Sequence, residues 1–101
     1  MGATVITLIK QTYKTDSIGQ QVPDKLVRTE VFATEASVNR SEWFAAQNAG
    51  MSCEYVFQTP SVNYSGEKLA EFEGRRYQIY RAYNRGDITE LYLGQRGGLN
   101  G

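Results

Sequence analysis

Alternation of apolar and polar residues with a period of two runs through most of this chain, broken once by a short stretch of helical spacing. Residues 3–13 (ATVITLIKQTY) are dense in β-branched side chains, and Ile6, Leu8 and the stem of Lys10 alternate with Val5, Thr7 and Ile9. Both sets are largely apolar, which predicts a strand that is central in its sheet or that meets another subunit. Residues 14–25 (KTDSIGQQVPDK) hold Asp16, Ser17, Gly19, Pro23 and Asp24, a composition that predicts a long loop rather than a tight turn. Strand character returns over Leu26–Ala36, with Val27, Thr29, Val31 and Ala33 on one face and Arg28, Glu30, Phe32 and Thr34 on the other. Phe32 is the anomaly on that polar face. A single exposed aromatic is ordinary.

One helix is predicted, at about Arg40–Ala49 (RSEWFAAQNA). Asn39 is a good N-cap, Glu42 stands where a capping box needs it, and Val38 can staple onto Trp43. Gly50 supplies the left-handed residue that ends the helix. At about ten residues such a helix is marginal alone and must pack. Trp43 and Phe44 are the expected anchors, burying it against a sheet.

Cys53, Tyr55 and Phe57 then alternate with Glu54, Val56 and Gln58 until Pro60 stops the strand. Residues 61–68 (SVNYSGEK) read as a polar loop, Leu69–Glu73 as a short strand and Gly74-Arg75 as its turn. Tyr77, Ile79, Arg81 and Tyr83 alternate with Gln78, Tyr80 and Ala82; Asn84-Arg85-Gly86-Asp87 is a turn signal, and Ile88–Leu93 runs back. The result is a β-hairpin with a four-residue loop. Arg85-Gly86-Asp87 spells an integrin-binding tripeptide, but a hairpin tip needs Gly-Asp on its own account. The glycine-rich end, Gly94–Gly101, reads as a flexible tail.

These elements predict a mainly β fold: a small antiparallel β-barrel or rolled sheet of five to six strands, with one short helix between the second and third strands. The expected organisation is a single domain over 1–94 and a tail over 95–101. A chain of 101 residues has the length of one domain and buries roughly two-thirds of its unfolded surface. Eleven basic and eleven acidic residues cancel, which removes the simplest footprint of a nucleic-acid binder. Arg75, Arg76, Arg81, Arg85 and Arg96 crowd the last third, where solvated hairpin rims account for them. No stretch approaches the roughly 18 apolar residues of a membrane span. Nor does the start carry a signal-peptide pattern, so the expected setting is inside a cell.

Chemistry is sparse. The absence of histidine removes the commonest general base and most zinc sites. Cys53, the single cysteine, reads as a small buried hydrophobe. Glu71 and Glu73 share a strand face but read as a solvated edge, and no glycine-rich phosphate loop is present. The expectations are therefore no catalytic residues, no cofactor and no metal. Tyr77, Tyr83 and Tyr92 with Arg75, Arg76 and Arg81 form the set that a single-strand stacking platform would use.

Three segments in order resemble the head–tail joining (head closure, or stopper) proteins of long-tailed bacteriophages. They are the Gly19-Gln20-Gln21 loop followed by Val31-Phe32-Ala33, the helix Ser41–Gln47, and Phe72–Tyr83 with its returning strand Glu90–Leu93. Trp43 stands where that family more usually has tyrosine, and the glycine-rich end is not a family hallmark. The resemblance implies a structural virion protein rather than an enzyme, made in the host cytoplasm and placed at the head–tail interface. It implies a homo-oligomeric ring of about twelve copies, joining a portal or adaptor ring to a tail-completion or tail protein. Double-stranded DNA would pass through it and no membrane would be involved. Interface or channel-loop candidates are Ser17, Ile18, Gly19, Gln20, Gln21, Phe32, Val62, Asn63, Tyr64 and Arg85. The alternatives are a tail-completion or other phage morphogenesis protein, or a small-barrel module binding nucleic acid or peptide.

Overall fold

A computed structural model describes residues 3–96. Along the chain come β1 (Ala3–Thr15), β2 (Gln21–Ala36), α1 (Arg40–Asn48), β3 (Met51–Pro60), β4 (Leu69–Phe72), β5 (Arg75–Asn84) and β6 (Ile88–Arg96). A single 3₁₀ turn at Ser61–Asn63 follows β3. The six strands close into a barrel in the order β1-β2-β3-β6-β5-β4, every neighbour antiparallel. This is the closed form of the two architectures that the alternation predicts, with the helix between β2 and β3 as expected.

Period-two alternation places the core. Ile6, Leu8, Val31, Ala33, Phe57, Ala70, Phe72, Tyr77, Ile79, Leu91 and Leu93 point into the barrel, with Tyr55 and Tyr64 packed against them. Phe57, Ile6, Leu8, Leu91 and Leu93 are fully buried, each contributing roughly 2 kcal/mol by removal from water. Tyr55 meets Phe72 and Tyr77 edge-on, with centroids 5.0 and 5.5 Å apart, and Phe57 meets Phe72 at 5.0 Å. Such geometry suits the ring quadrupoles.

Departures from the expected pattern have local causes. The region 14–25 is not a long loop. β1 and β2 run on as a two-stranded ribbon to a five-residue turn, where Asp16 Oδ1 accepts from the amides of Ile18 (3.0 Å) and Gln20 (2.8 Å). Pro23 is tolerated because β2 has no sheet neighbour on its far side there, and Asp24 and Lys25 together face Thr12 as a bulge. Two further bulges, at Glu54 in β3 and Tyr80 in β5, reset the alternation. Arg81 consequently leaves the row of Tyr77 and Ile79 and is exposed, while Cys53 is only half-buried rather than a core residue. The β4–β5 turn is Glu73-Gly74, one residue earlier than expected, with φ of 52° and 79°. Three residues rather than four separate β5 from β6, and Asn84 Oδ1 accepts from Gly86 N at 2.7 Å.

The ribbon makes the molecule long. Its extents are 48 × 34 × 27 Å and its radius of gyration is 14.9 Å, against about 13 Å for a compact chain of this size.

Gly94, Gln95 and Arg96 belong to β6, not to a tail; the remainder of the expected tail, 97–101, lies outside the described residues. Gly94 is required by close approach, since a Cβ there would stand 2.4 Å from the Ser52 carbonyl oxygen and 3.1 Å from Tyr80 Cε1. Gly94→Ala must push β3 away from β6 and is expected to cost about 2–3 kcal/mol. Urea unfolding of the two proteins measures it; an unchanged midpoint would refute the close-approach argument.

Candidate assembly surfaces

The antiparallel alternation of the strands sorts the connections to the two ends of the barrel. The β1–β2 ribbon tip, the β3–β4 loop and the β5–β6 turn gather at one end; α1 and the Glu73-Gly74 turn connect strands at the other. Ser17, Ile18, Gly19, Gln20, Gln21, Val62, Asn63, Tyr64 and Arg85 therefore belong to the loop end, while Phe32 sits in the wall of β2.

Within that end the candidates differ in character. Ile18 and Val62 are 74% and 92% exposed, apolar side chains at two tips with nothing covering them. Asn63 and Tyr64 instead tie the loop down. Asn63 Nδ2 donates to Thr59 Oγ1 at 3.1 Å, and the Tyr64 hydroxyl donates to the Glu67 carbonyl at 2.9 Å. Ser61 Oγ donates to the Gly86 carbonyl at 2.7 Å, which joins the 3₁₀ turn to the Arg85-containing tip. Lys10 Nζ reaches the Ser65 carbonyl at 3.0 Å and braces the ribbon base against the same loop. Hydrogen bonds thus link the loop both to the β5–β6 tip and to the ribbon base.

The helix end overturns one expectation. Trp43 and Phe44 do not anchor α1: they are 44% and 55% exposed and pack edge-on against each other, centroids 5.1 Å apart. Glu42 and Ala46 are the buried residues of the helix. Asn39 caps as expected, accepting from Glu42 N at 2.7 Å, but the Glu42 side chain does not reach back to complete a capping box. Its carboxylate instead accepts from the Tyr80 hydroxyl at 2.7 Å and pairs with Arg81 at 2.7 Å. Because the inward helical position is filled by an ion-paired carboxylate, the two aromatic rings turn outward. They line an open groove of about 630 Å³ with Val38, Asn39, Arg40, Cys53 and Glu54. Burial pushes the Cys53 thiol pKa up, so the thiolate is disfavoured.

From Glu42 the polar contacts continue along the outer face of the sheet. The Arg81 guanidinium lies 4.5 Å over the Tyr92 ring, and the Tyr92 hydroxyl donates to Glu90 at 3.0 Å. Glu90 also accepts from Gln58 Nε2 at 2.9 Å and pairs with Arg85 at 3.4 Å. Burial pushes the Tyr80 and Tyr92 hydroxyls above their ordinary range. The Gln58 amide, helped by Tyr92 and Arg85, holds the Glu90 carboxyl below its ordinary value of 4.5 against the opposing effect of burial.

Of the stacking set, Tyr77 is in the core, Tyr92 is buried beneath Arg81, and Arg76 and Arg81 pair with Glu71 and Glu42, which leaves Tyr83 and Arg75 as its exposed members without an ion pair among the described residues. Glu71 and Glu73 likewise form no acid pair, since Glu71 lies between Arg28 and Arg76 while Glu73 occupies the turn. Among the described residues no three His, Cys, Asp or Glu side chains converge as metal ligands would, and no helix is long and apolar enough to cross a membrane.

No protein-family model matches the chain, and no curated protein sequence matches it. The functional argument therefore rests on the barrel and its surfaces.

Two predictions concern the paired carboxylates of the outer face. Glu42→Ala leaves the Tyr80 hydroxyl without its acceptor and removes the helix's main polar anchor. A loss of about 2 kcal/mol is expected, moderated because Arg81 is half-exposed, with faster hydrogen exchange confined to α1. Equal exchange across α1 in both proteins would contradict the anchoring role. The second concerns acid. Glu71, lowered by Arg28 and then Arg76, and Glu90 both have folded pKa values below the unfolded one. Their stabilisation is present above 4.5 and is lost as pH falls through the lower folded values. Urea midpoints at about pH 7 and about pH 3 should differ less in a Glu71→Gln/Glu90→Gln double variant than in the parent chain.

Proposed function

We propose that this protein is a structural connector of a phage virion, a head-completion or closure subunit. It assembles into a ring that joins a portal or adaptor ring to the tail and helps retain packaged DNA. The observation that carries this reading is the polarity of the barrel. Three chain connections, two of them with exposed apolar tips, gather at one end, while the outward Trp43–Phe44 pair lies on the helix that links strands at the other. A subunit between two different neighbours needs two unlike docking faces, and loops on a rigid barrel are suited to supply them. Side walls remain for the head-to-tail contact that closes a ring. Charge balance fits as well, because a neutral subunit does not grip DNA that must pass. The likeness of residues 19–21, 31–33, 41–47 and 72–83 to head–tail joining proteins supports the same reading.

The test is direct. The purified chain, mixed with tailless, portal-bearing capsids of its phage, should add a ring at the portal vertex visible by negative-stain microscopy. Ile18→Asp with Val62→Asp should leave the fold intact and weaken that docking about tenfold or more. Failure of the parent chain to bind such particles, together with salt-dependent binding to single-stranded DNA, would turn the assignment to a nucleic-acid module.

A further inference from the structure

The outer edge of β2 is open. β3 pairs with β2 only at Thr34, Glu35 and Ala36, and β1 covers the other side throughout, so residues 26–33 have one sheet neighbour among the described residues. Away from β1, the Phe32 carbonyl accepts from Thr59 Oγ1 of β3 at 2.8 Å, so the edge is fully open only as far as Val31. Because backbone groups alternate along a strand, the N–H and C=O of Leu26, Arg28 and Glu30 face the open side too. An edge of this length without proline or glycine is a template for another strand.

Its sequence says which strand fits. Leu26-Val27-Arg28-Thr29-Glu30-Val31-Phe32 reads nearly the same by residue class in both directions about Thr29. Laid antiparallel on a second copy with Thr29 opposite Thr29, it sets Arg28 against Glu30 twice, Leu26 against Phe32 twice, and Val27 against Val31 twice. Opposite charges and apolar pairs then meet at every cross-strand position on either side of the central Thr29 pair. Arg28 and Glu30 would also exchange backbone hydrogen bonds, since both present them to the open side. Phe32, Leu26 and Val27 are 71%, 43% and 39% exposed in the single chain, so the pairing covers side chains that are otherwise wet. Arg28 already pairs with Glu71 of its own chain, and its half-exposed side chain would lie between that carboxylate and the second copy's Glu30.

The same register also ends where the fold requires. It places Thr34, where β3 takes over the edge, opposite Asp24 in the bulge that bends β2 away beside Pro23. We propose that the β2 edges of two copies pair antiparallel about Thr29, forming a two-fold dimer of the free chain. This isologous contact differs from the head-to-tail contact of a ring, so it stands or falls apart from the connector assignment.

The experiment uses the full chain. Sedimentation velocity over a micromolar concentration series should show a monomer–dimer equilibrium. Glu30→Lys, an exposed change that sets like charges together, should weaken it about tenfold or more without altering the circular dichroism spectrum. Register is read by cysteines in a Cys53→Ser background. Thr29 faces its own copy at a non-hydrogen-bonded pair, where Cα atoms come about 4.5 Å apart, within disulfide reach. Thr29→Cys should therefore give a disulfide-linked dimer on mild oxidation, and Val27→Cys, offset from its counterpart, should not. A chain monomeric throughout the series, a dimer indifferent to Glu30→Lys, or equal cross-linking at the two positions overturns the proposal.

Discussion

Closure of the sheet depends on three residue pairs, Thr7–Glu71, Leu8–Ala70 and Ile9–Leu69, which join β1 to the four-residue strand β4. Without them the six strands would be an open sheet with the long β1 as one edge and an unroofed row of apolar side chains. The inward members of that seam, Leu8 and Ala70, are fully buried. On the outside, Glu71 bridges Arg28 of β2 and Arg76 of β5, reaching over both neighbours of the seam. Those ion pairs are exposed and contribute little each, so burial of the core holds the barrel shut and the charges favour the register. Antiparallel alternation sorts the connections to the two ends, and closure makes the wall between them continuous.

The fold class was legible because period-two alternation survives over most of each strand. It failed at the bulges. One added residue at Glu54 and one at Tyr80 move Cys53 and Arg81 out of the rows that simple counting gives them. Nothing in the side chains announces those insertions, which answer to barrel curvature rather than to local preference. The ribbon was missed for the opposite reason. Asp16, Gly19, Pro23 and Asp24 all favour turns, yet only 16–20 form one, because Pro23 and Asp24 fall where β2 lacks an outer neighbour and a bulge is harmless.

The helix shows a different limit. Its boundaries were readable from Asn39 and Gly50, both of which act as their residue types suggest. Its inward face was not. Hydrophobicity favours burying Trp43 and Phe44, but the sheet beneath offers Tyr80 and Arg81, whose polar heads need a carboxylate. Local complementarity between Glu42 and that polar pair outweighs the burial of two rings, and the signal for it lies 38 residues away in sequence. No period read within the helix could have found it.

Two kinds of unfinished surface result, and they differ physically. The Trp43–Phe44 groove and the tips at Ile18 and Val62 are apolar areas without fixed backbone direction, suited to neighbours of many shapes. The β2 edge carries backbone donors and acceptors at fixed spacing, so it accepts only an extended strand. A connector of the kind proposed, meeting unlike neighbours on one barrel, gains from keeping these separate. Side-chain patches can be matched to each partner independently, whereas an open strand edge would pair with any extended segment it met. In the proposed dimer, a sequence nearly symmetrical about Thr29 favours a copy of itself on that edge, which leaves the two ends of the barrel for other contacts.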